Sequence, residues 1–172
     1  MITDFVTGEQ VPNIGAEENR QAVEQFLVKK KGFHKEDIEA DADIEIVIGS
    51  ATYRSQIDLI VSVEAKRFMA IKCAAGSLGS REREILSAAR ILDPYPLARA
   101  VVSDGKNAIV MDVLSGKKID EGMDAICSKA AAKNILHETD LQPLTEKHLE
   151  REKLIFRAYD MTDVNVRRKL GL

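Results

Sequence analysis

Asp58 and Lys72 are charged side chains within two apolar, β-branched segments, RSQIDLIVSV and RFMAIKC. If these segments form a hairpin whose turn is centred near Glu64, Asp58 lies opposite position 70 and shares one face of the sheet with Ala70 and Lys72. Burying a carboxylate and an ammonium there is costly unless they pair or perform a function. One interpretation is a single ion pair at the end of a sheet. The other is phosphodiester hydrolysis, in which carboxylates hold a divalent cation such as Mg²⁺ and an ammonium orients the nucleophile or stabilises negative charge.

The surrounding sequence predicts the elements that would carry these two side chains. Residues 16–31 place apolar side chains on one stripe between glutamates and lysines, which is typical of a helix with a compensated dipole. Three short β-branched runs then predict antiparallel strands, and a second helix follows with Ser80 as its N-cap and an end before Asp93. Two further strands come next. Beyond Gly122 the sequence predicts two helices separated by Pro143.

These elements predict an α/β fold with a central mixed sheet of about five strands flanked by helices, and a C-terminal helical extension. The length of 172 residues and the apolar content of 45% favour one hydrophobic core. We expect the core to span residues 1–120. We expect the extension, residues 121–172, to pack on the core or on a second copy of the chain.

Charge and hydropathy narrow the possible locations and partners. The formal net charge of −3 argues against a protein that coats nucleic acid by bulk electrostatics. No apolar run approaches the roughly 20 residues of a membrane span, and the first residues do not form a signal sequence, so we expect a cytoplasmic protein without a membrane partner. Cys73 and Cys127 lie outside any metal-binding spacing, and we interpret both as core thiols.

Four sequence features occur in the order and spacing of a known family. EENRQ opens a helix that ends in KKKGF, YRSQIDLIVSV holds Asp58, FMAIKC holds Lys72, and VVSDG with VLSGK closes the core. From Glu17 to Gly116 the chain resembles the N-terminal nuclease domain of type I restriction enzyme R subunits, a branch of the PD-(D/E)XK superfamily with a restriction-endonuclease-like fold. The resemblance implies a site for Mg²⁺ or Mn²⁺, in which Glu17 or Glu18 acts with Asp58 and a Glu-x-Lys motif that ends in Lys72.

Ala70 occupies the glutamate position of that motif and has no oxygen to offer a metal. Glu64-Ala65-Lys66 also spells Glu-x-Lys, but it lies at the predicted turn, about 20 Å from Asp58 at roughly 3.3 Å per residue, so we reject it. An acid on the following helix could replace the missing one. We expect Glu82 to take this catalytic and metal-binding role in preference to Glu84, because Glu84 is nearer the apolar side of the helix. Alternatively, both glutamates compensate the helix dipole.

The connector CAAGSLGSRER joins the third strand to the second helix. Its small residues and the helix N-terminus would suit a DNA phosphate, with contacts from Ser77, Ser80, Arg81 and Arg83. The same composition is equally typical of a plain flexible connector, and both interpretations stay open.

Two functions follow from these residues. The first is a divalent-metal-dependent DNA endonuclease with a variant active site formed by Asp58, Lys72 and Glu82. The second is a catalytically inactive nuclease-fold domain that binds DNA or regulates a restriction or repair complex, as Ala70 by itself would predict. A small-molecule-binding domain is a third interpretation. The first two make DNA and the proteins of such a complex the expected partners, and cleavage of both strands would favour a homodimer.

Overall fold

A computed structural model describes residues 1–163. Within this range a two-stranded antiparallel sheet and a six-stranded mixed sheet account for the strands, and four α-helices accompany them. The strands are β1 (Ile2–Thr3), β2 (Gln10–Val11), β3 (Ile38–Ile48), β4 (Ala51–Val63), β5 (Lys66–Cys73), β6 (Arg99–Ser103), β7 (Ala108–Asp112) and β8 (Lys118–Glu121). The helices are α1 (Glu17–Lys30), α2 (Glu82–Ile91), α3 (Lys129–Glu138) and α4 (Glu146–Met161).

The large sheet follows chain order from β3 to β8. Strands β5 and β6 are parallel, joined by a crossover through α2, and the other described neighbours are antiparallel. The predicted mixed α/β architecture is therefore confirmed, but the prediction of about five strands is one short. The additional strand is β8, whose four residues are all exposed, so it lacks the apolar alternation by which a strand is recognised in a sequence.

The hairpin of β4 and β5 has a different register from the one predicted. Ala70 lies opposite Ile60, not Asp58, which is a shift of two residues. The turn consists of Glu64 and Ala65, both with positive φ, as in a two-residue hairpin turn, and a bulge follows at Val61. Turn and bulge each move the register by one residue. Because the total shift is even, Asp58 and Lys72 keep the same side of the ladder.

Two hydrophobic clusters lie on the two faces of the sheet. Helices α1 and α3 contribute Val23, Leu27 and Ala132 to the first cluster, and α2 and α4 contribute Ile85 and Phe156 to the second. The long β3–β4 hairpin contributes to both, since Leu59 packs in the first cluster and Ile57 in the second. Lys72 lies among the apolar residues of the second cluster, so α2 and α4 cover it.

The predicted helices are present, with one error in capping. The helix predicted over 16–31 is α1, and Pro143 separates α3 from α4 as expected. Ser80 does not cap α2: a 3₁₀ turn precedes the helix, Arg81 is its N-cap residue, and the Ser80 hydroxyl donates to the Ser77 carbonyl instead. No helix within residues 1–163 is long and apolar enough to cross a bilayer.

Helix α4 packs against α2 and not at the periphery of the fold. Phe156 is buried in the second cluster and makes an edge-to-face contact with Tyr53 of β4. The predicted extension runs to residue 172, and its last nine residues lie outside the part of the chain described here. A boundary at residue 120 stays a prediction.

Candidate functional site

Asp58, in the middle of β4, and Lys72, near the end of β5, lie side by side. The Asp58 Oδ2 is 3.9 Å from the Lys72 Nζ, and it also accepts a hydrogen bond of 2.8 Å from the backbone N–H of Cys73. Both side chains are buried. The pair that the sequence singled out is therefore brought together, and a backbone donor fixes the orientation of the carboxylate.

Glu84, on the first turn of α2, is the helix acid that reaches Lys72. Its Oε1 is 3.7 Å from the Lys72 Nζ, whereas Glu82 is half-buried on the same turn and its charge acts on Lys118. The sequence argument favoured Glu82 because Glu84 was nearer the apolar side of the helix. The apolar side of α2 packs on the sheet, and Lys72 on β5 points towards the same side of the helix. The apolar face of α2 is therefore also the face that meets the ammonium.

Asp163, two residues beyond α4, makes the shortest of these contacts with Lys72. Its Oδ2 is 2.7 Å from the Lys72 Nζ and 3.4 Å from the Arg81 Nη1, and its side chain is fully buried. The sequence analysis did not identify this residue. An aspartate after an amphipathic helix carries no local signal of contact with a strand about ninety residues earlier, since packing of α4 on α2 creates the contact.

We call Lys72, Asp58, Glu84, Asp163 and Arg81 the Lys72 cluster. Burial lowers the pKa of Lys72, but the carboxylates of the cluster outweigh this effect and hold the pKa above its ordinary value. Burial also raises the pKa of Glu84 well above its usual range, and the negative charge of Asp163 adds to that effect against the opposing charge of Lys72. The cluster therefore holds three carboxyl groups and two cations, Lys72 and Arg81.

Ala70 is fully buried two residues before Lys72 on β5. It packs in the second hydrophobic cluster among residues of α2 such as Ile85 and Ala88. The position that the resemblance assigns to a glutamate thus forms part of the contact between sheet and helix.

Glu17 and Glu18, which the resemblance implied as metal ligands, have other partners. Glu18 is exposed and accepts a hydrogen bond from Asn13. Glu17 is buried and accepts from the Arg20 Nε at 2.8 Å. Arg20 also binds three further carboxylates, and we call these five residues the Arg20 cluster: Asp4 at 2.9 Å, Asp41 at 3.1 Å, Glu24 at 4.0 Å, Glu17 and Arg20 itself.

The connector residues divide between two environments. Ser77 and Ser80 are exposed, and Arg81 belongs to the Lys72 cluster. Arg83 instead extends towards α4, where its Nη2 is 2.9 Å from Glu152. Of the four predicted phosphate contacts, Arg81 therefore lies beside Lys72, while the Arg83 guanidinium pairs with an acid of α4.

Helix α4 is fastened over the cluster by polar contacts as well as by Phe156. The buried Glu152 accepts hydrogen bonds from Arg83, Arg90 and Ser87 at 2.9 Å each. Burial by itself would raise the pKa of Glu152, but these donors lower it to about 2. Further along the helix, the Tyr53 hydroxyl donates to Asp160.

The cluster does not fit a bound Mg²⁺ in this arrangement, although its oxygen donors are of a suitable type. The Lys72 ammonium stands among the carboxylates of Asp58, Glu84 and Asp163, at 2.7 to 3.9 Å. The cavity beside it measures about 10 Å³, room for at most one water. Within residues 1–163 no group of three or more His, Cys, Asp or Glu side chains is placed to hold a metal ion.

Comparison with known proteins gives one result at the level of the family. Neither a curated protein nor a solved structure matches the chain significantly. Residues 15–127 match the family described as type I restriction enzyme R protein N terminus. This range contains α1, the large sheet and α2, together with Asp58 and Lys72, and ends before α3. Since the match covers more than half of the chain, the protein belongs to the type I restriction enzyme R protein N-terminal family.

Proposed function

We propose that this chain is a nuclease-fold domain of the PD-(D/E)XK type that binds DNA within a restriction complex and does not cleave it. The observation that carries this proposal is the composition of the Lys72 cluster. Ala70 stands at the position of the motif glutamate, and the Lys72 ammonium fills the space among the carboxylates. A domain of this kind would contribute DNA contact and leave other steps to its protein partners.

DNA contact in this proposal relies on Lys72 and Arg81. Lys72 lies near the end of β5, and Arg81 immediately precedes α2 in the connector whose composition suits a phosphate. Binding through a few local cations agrees with a net charge of −3, which disfavours a broad electrostatic surface. A homodimer stays a prediction.

A second candidate function, a metal-dependent endonuclease using Mg²⁺ or Mn²⁺, is favoured by the carboxylates near Lys72. Asp58 and Glu84 approach the ammonium from a strand and a helix, as a migrated second acid would require. In this candidate Glu84 takes the role that the sequence suggested for Glu82. Lys72 would have to move away from the carboxylates before these could act as ligands.

The two candidates are separated by measuring DNA binding and DNA cleavage on the same preparations. We expect the protein to bind a short DNA duplex in the presence of EDTA and to leave plasmid DNA intact with Mg²⁺ or Mn²⁺. Lys72→Gln should weaken binding, because it removes the cation and keeps a polar side chain. Arg54→Gln, on the exposed part of β4, is the matched control and should bind as the unsubstituted protein does.

Cleavage that requires metal and disappears in both Asp58→Asn and Lys72→Gln would establish the endonuclease in place of the binding domain. Failure of the folded protein to bind duplex or single-stranded DNA under any of these conditions would overturn both candidates. Circular dichroism and thermal melting of every variant exclude loss of folding as the cause.

A further inference from the structure

We propose that Lys72 and Arg81 form a phosphate-binding site that the chain closes with its own Asp163, so that residues 146–163 act as an autoinhibitory latch. The proposal rests on the proposed DNA-binding function and names the regulation of that site. The ligand it predicts is the phosphate of a DNA backbone, which would replace the Asp163 carboxylate on the same two cations.

The contacts of Asp163 resemble those of a bound anion. One oxygen, Oδ2, lies 2.7 Å from the Lys72 Nζ and 3.4 Å from the Arg81 Nη1. Two cations from different elements, β5 and the start of α2, thus converge on one acidic oxygen. Lysine and arginine bind phosphate oxygens at about 2.7–2.9 Å, a range that includes the Lys72 contact, whereas the Arg81 contact is longer. Because the Asp163 side chain is fully buried, an external phosphate cannot reach this position while the latch is closed.

The latch is attached at three points before it reaches Lys72. Glu152 binds Arg83 and Arg90 of α2, Phe156 packs into the second hydrophobic cluster, and Asp160 accepts from Tyr53 of β4. A connection over residues 139–145, which is largely exposed, joins α4 to α3. This connection would keep α4 joined to α3 while α4 moves away from α2.

The latch and the residues that it contacts lie in different parts of the chain, which supports a regulatory role for the latch over a purely structural one. The partners on α2, β4 and β5 all lie within residues 15–127, the range of the family match, whereas the latch lies outside it. The part of the chain that defines the family thus supplies the cations, and an additional segment supplies the anion that covers them. After burial, and against the charge of Lys72, the negative charge of Asp163 is itself one of the causes that raise the pKa of Glu84.

A phosphate can open the latch only if it binds the open form better than the closed form. The apparent affinity equals the affinity of the open form multiplied by the fraction of molecules that are open, so closing the site lowers it. Weakening the latch should therefore increase affinity for DNA without any change in the DNA-binding residues. If α4 only supported the fold, weakening its contacts would disorder the site and decrease the affinity for DNA.

The test measures affinity for a short DNA duplex in EDTA and amide hydrogen exchange of residues 146–163 in the full chain. We expect Asp163→Asn to increase affinity by roughly tenfold and to raise exchange in α4. Tyr53→Phe, which removes the contact with Asp160 and leaves Lys72 untouched, should produce a smaller increase in both. Glu150→Gln carries the same change of charge as Asp163→Asn on an exposed position of α4, and we expect little effect from it.

A second set of variants shows whether the gain comes from the proposed site. Arg81→Gln in the Asp163→Asn background should abolish the gain. Equal affinity of Asp163→Asn and the unsubstituted protein, when both bind DNA, would overturn the latch and keep the proposed function. If no variant binds DNA, the proposed function fails. The latch is then tested with tripolyphosphate, which should raise the melting temperature of Asp163→Asn more than that of Glu150→Gln. Equal shifts in those two variants would overturn the latch as well.

Discussion

The Arg20 cluster and the Lys72 cluster both place a buried cation among several carboxylates, but their contacts differ. Arg20 reaches Glu17, Asp4 and Asp41 at 2.5 to 3.1 Å, and Glu24 lies at 4.0 Å. Lys72 has one close carboxylate, Asp163 at 2.7 Å, and two at 3.7 and 3.9 Å. A guanidinium has five donors in a fixed plane, whereas an ammonium is a compact charge on a flexible stem.

The difference separates a structural network from a site that can rearrange. The acids around Arg20 come from residues 4–41 and join the N-terminal segment to α1 and β3. Those around Lys72 come from β4, α2 and the segment after α4, which are far apart in the chain. Removal of Asp163 would leave Lys72 near Asp58 and Glu84. We therefore expect substitutions at Arg20 to affect stability and substitutions at Lys72 to affect ligand binding.

The largest effect should come from Arg20→Met. The substitution leaves buried carboxylates without their cation, and breaking a buried ion pair in this way costs about 3–5 kcal/mol. Urea denaturation should show a lower free energy of unfolding by about that amount, with DNA affinity retained by the fraction that is folded. A decrease below about 1 kcal/mol would contradict the structural role of the Arg20 cluster.

Lys72→Met should destabilise the protein less than Arg20→Met and should weaken DNA binding more. Glu84 has a raised pKa, so it can bind a proton when the ammonium is absent, which limits the cost of the remaining charges. We expect a loss of about 1–3 kcal/mol in the free energy of unfolding. Lys66→Met is the control, since Lys66 is exposed on the same strand. If Lys72→Met proves more destabilising than Arg20→Met, the proposed contrast between the clusters is wrong.

Glu24→Gln should stabilise the protein in a manner that depends on pH. Burial, together with the charges of Asp4 and Glu17 and against that of Arg20, raises the pKa of Glu24 to about 8 from 4.5. Between these values the folded state holds a proton that the unfolded state has lost, so the contribution of Glu24 to stability falls as pH rises. The glutamine is neutral throughout.

The melting temperature of Glu24→Gln should therefore exceed that of the unsubstituted protein at pH 8 to 9, by an amount equivalent to about 1–3 kcal/mol. The gain should shrink as the pH is lowered towards 4.5. Glu18→Gln, an exposed position on the same helix, is the control. A gain that is constant with pH would show that the folded-state pKa of Glu24 is not raised.

The central pair of the site could be predicted from the sequence, although the hairpin register was wrong. Side-chain direction in a strand depends on whether the register shift is odd or even, so an error of two residues left Asp58 and Lys72 on one face. Helices α1 to α4 and strands β3 to β7 were predicted because strands and amphipathic helices carry periodic signals, whereas the two-residue strands β1 and β2 are too short to carry one. Strand β8 has no such signal, because its residues are exposed on both sides.

The remaining residues of the site depend on tertiary packing, which local patterns do not encode. Glu84 was judged from the polarity of its own helix, and the ammonium that meets it comes from another element. Asp163 reaches Lys72 because Glu152 and Phe156 hold α4 on α2, and those contacts involve residues distant in the sequence. Glu17 was assigned by resemblance, and the nearby Arg20 binds it instead.

The smallest expected effect distinguishes the two glutamates at the start of α2. In Glu84→Gln the buried carboxylate with a raised pKa is replaced by a neutral amide, so we expect a gain of about 1 kcal/mol at pH 8 that decreases as the pH is lowered. Glu82→Gln has the same chemistry on the same helical turn, and its effect should stay within about 0.5 kcal/mol at all pH values, as for other surface substitutions. Thermal melting of both variants over a range of pH measures the difference. Matching profiles would mean that Glu84 is no more a part of the Lys72 cluster than Glu82, and the endonuclease candidate would then lose the acid that makes it possible.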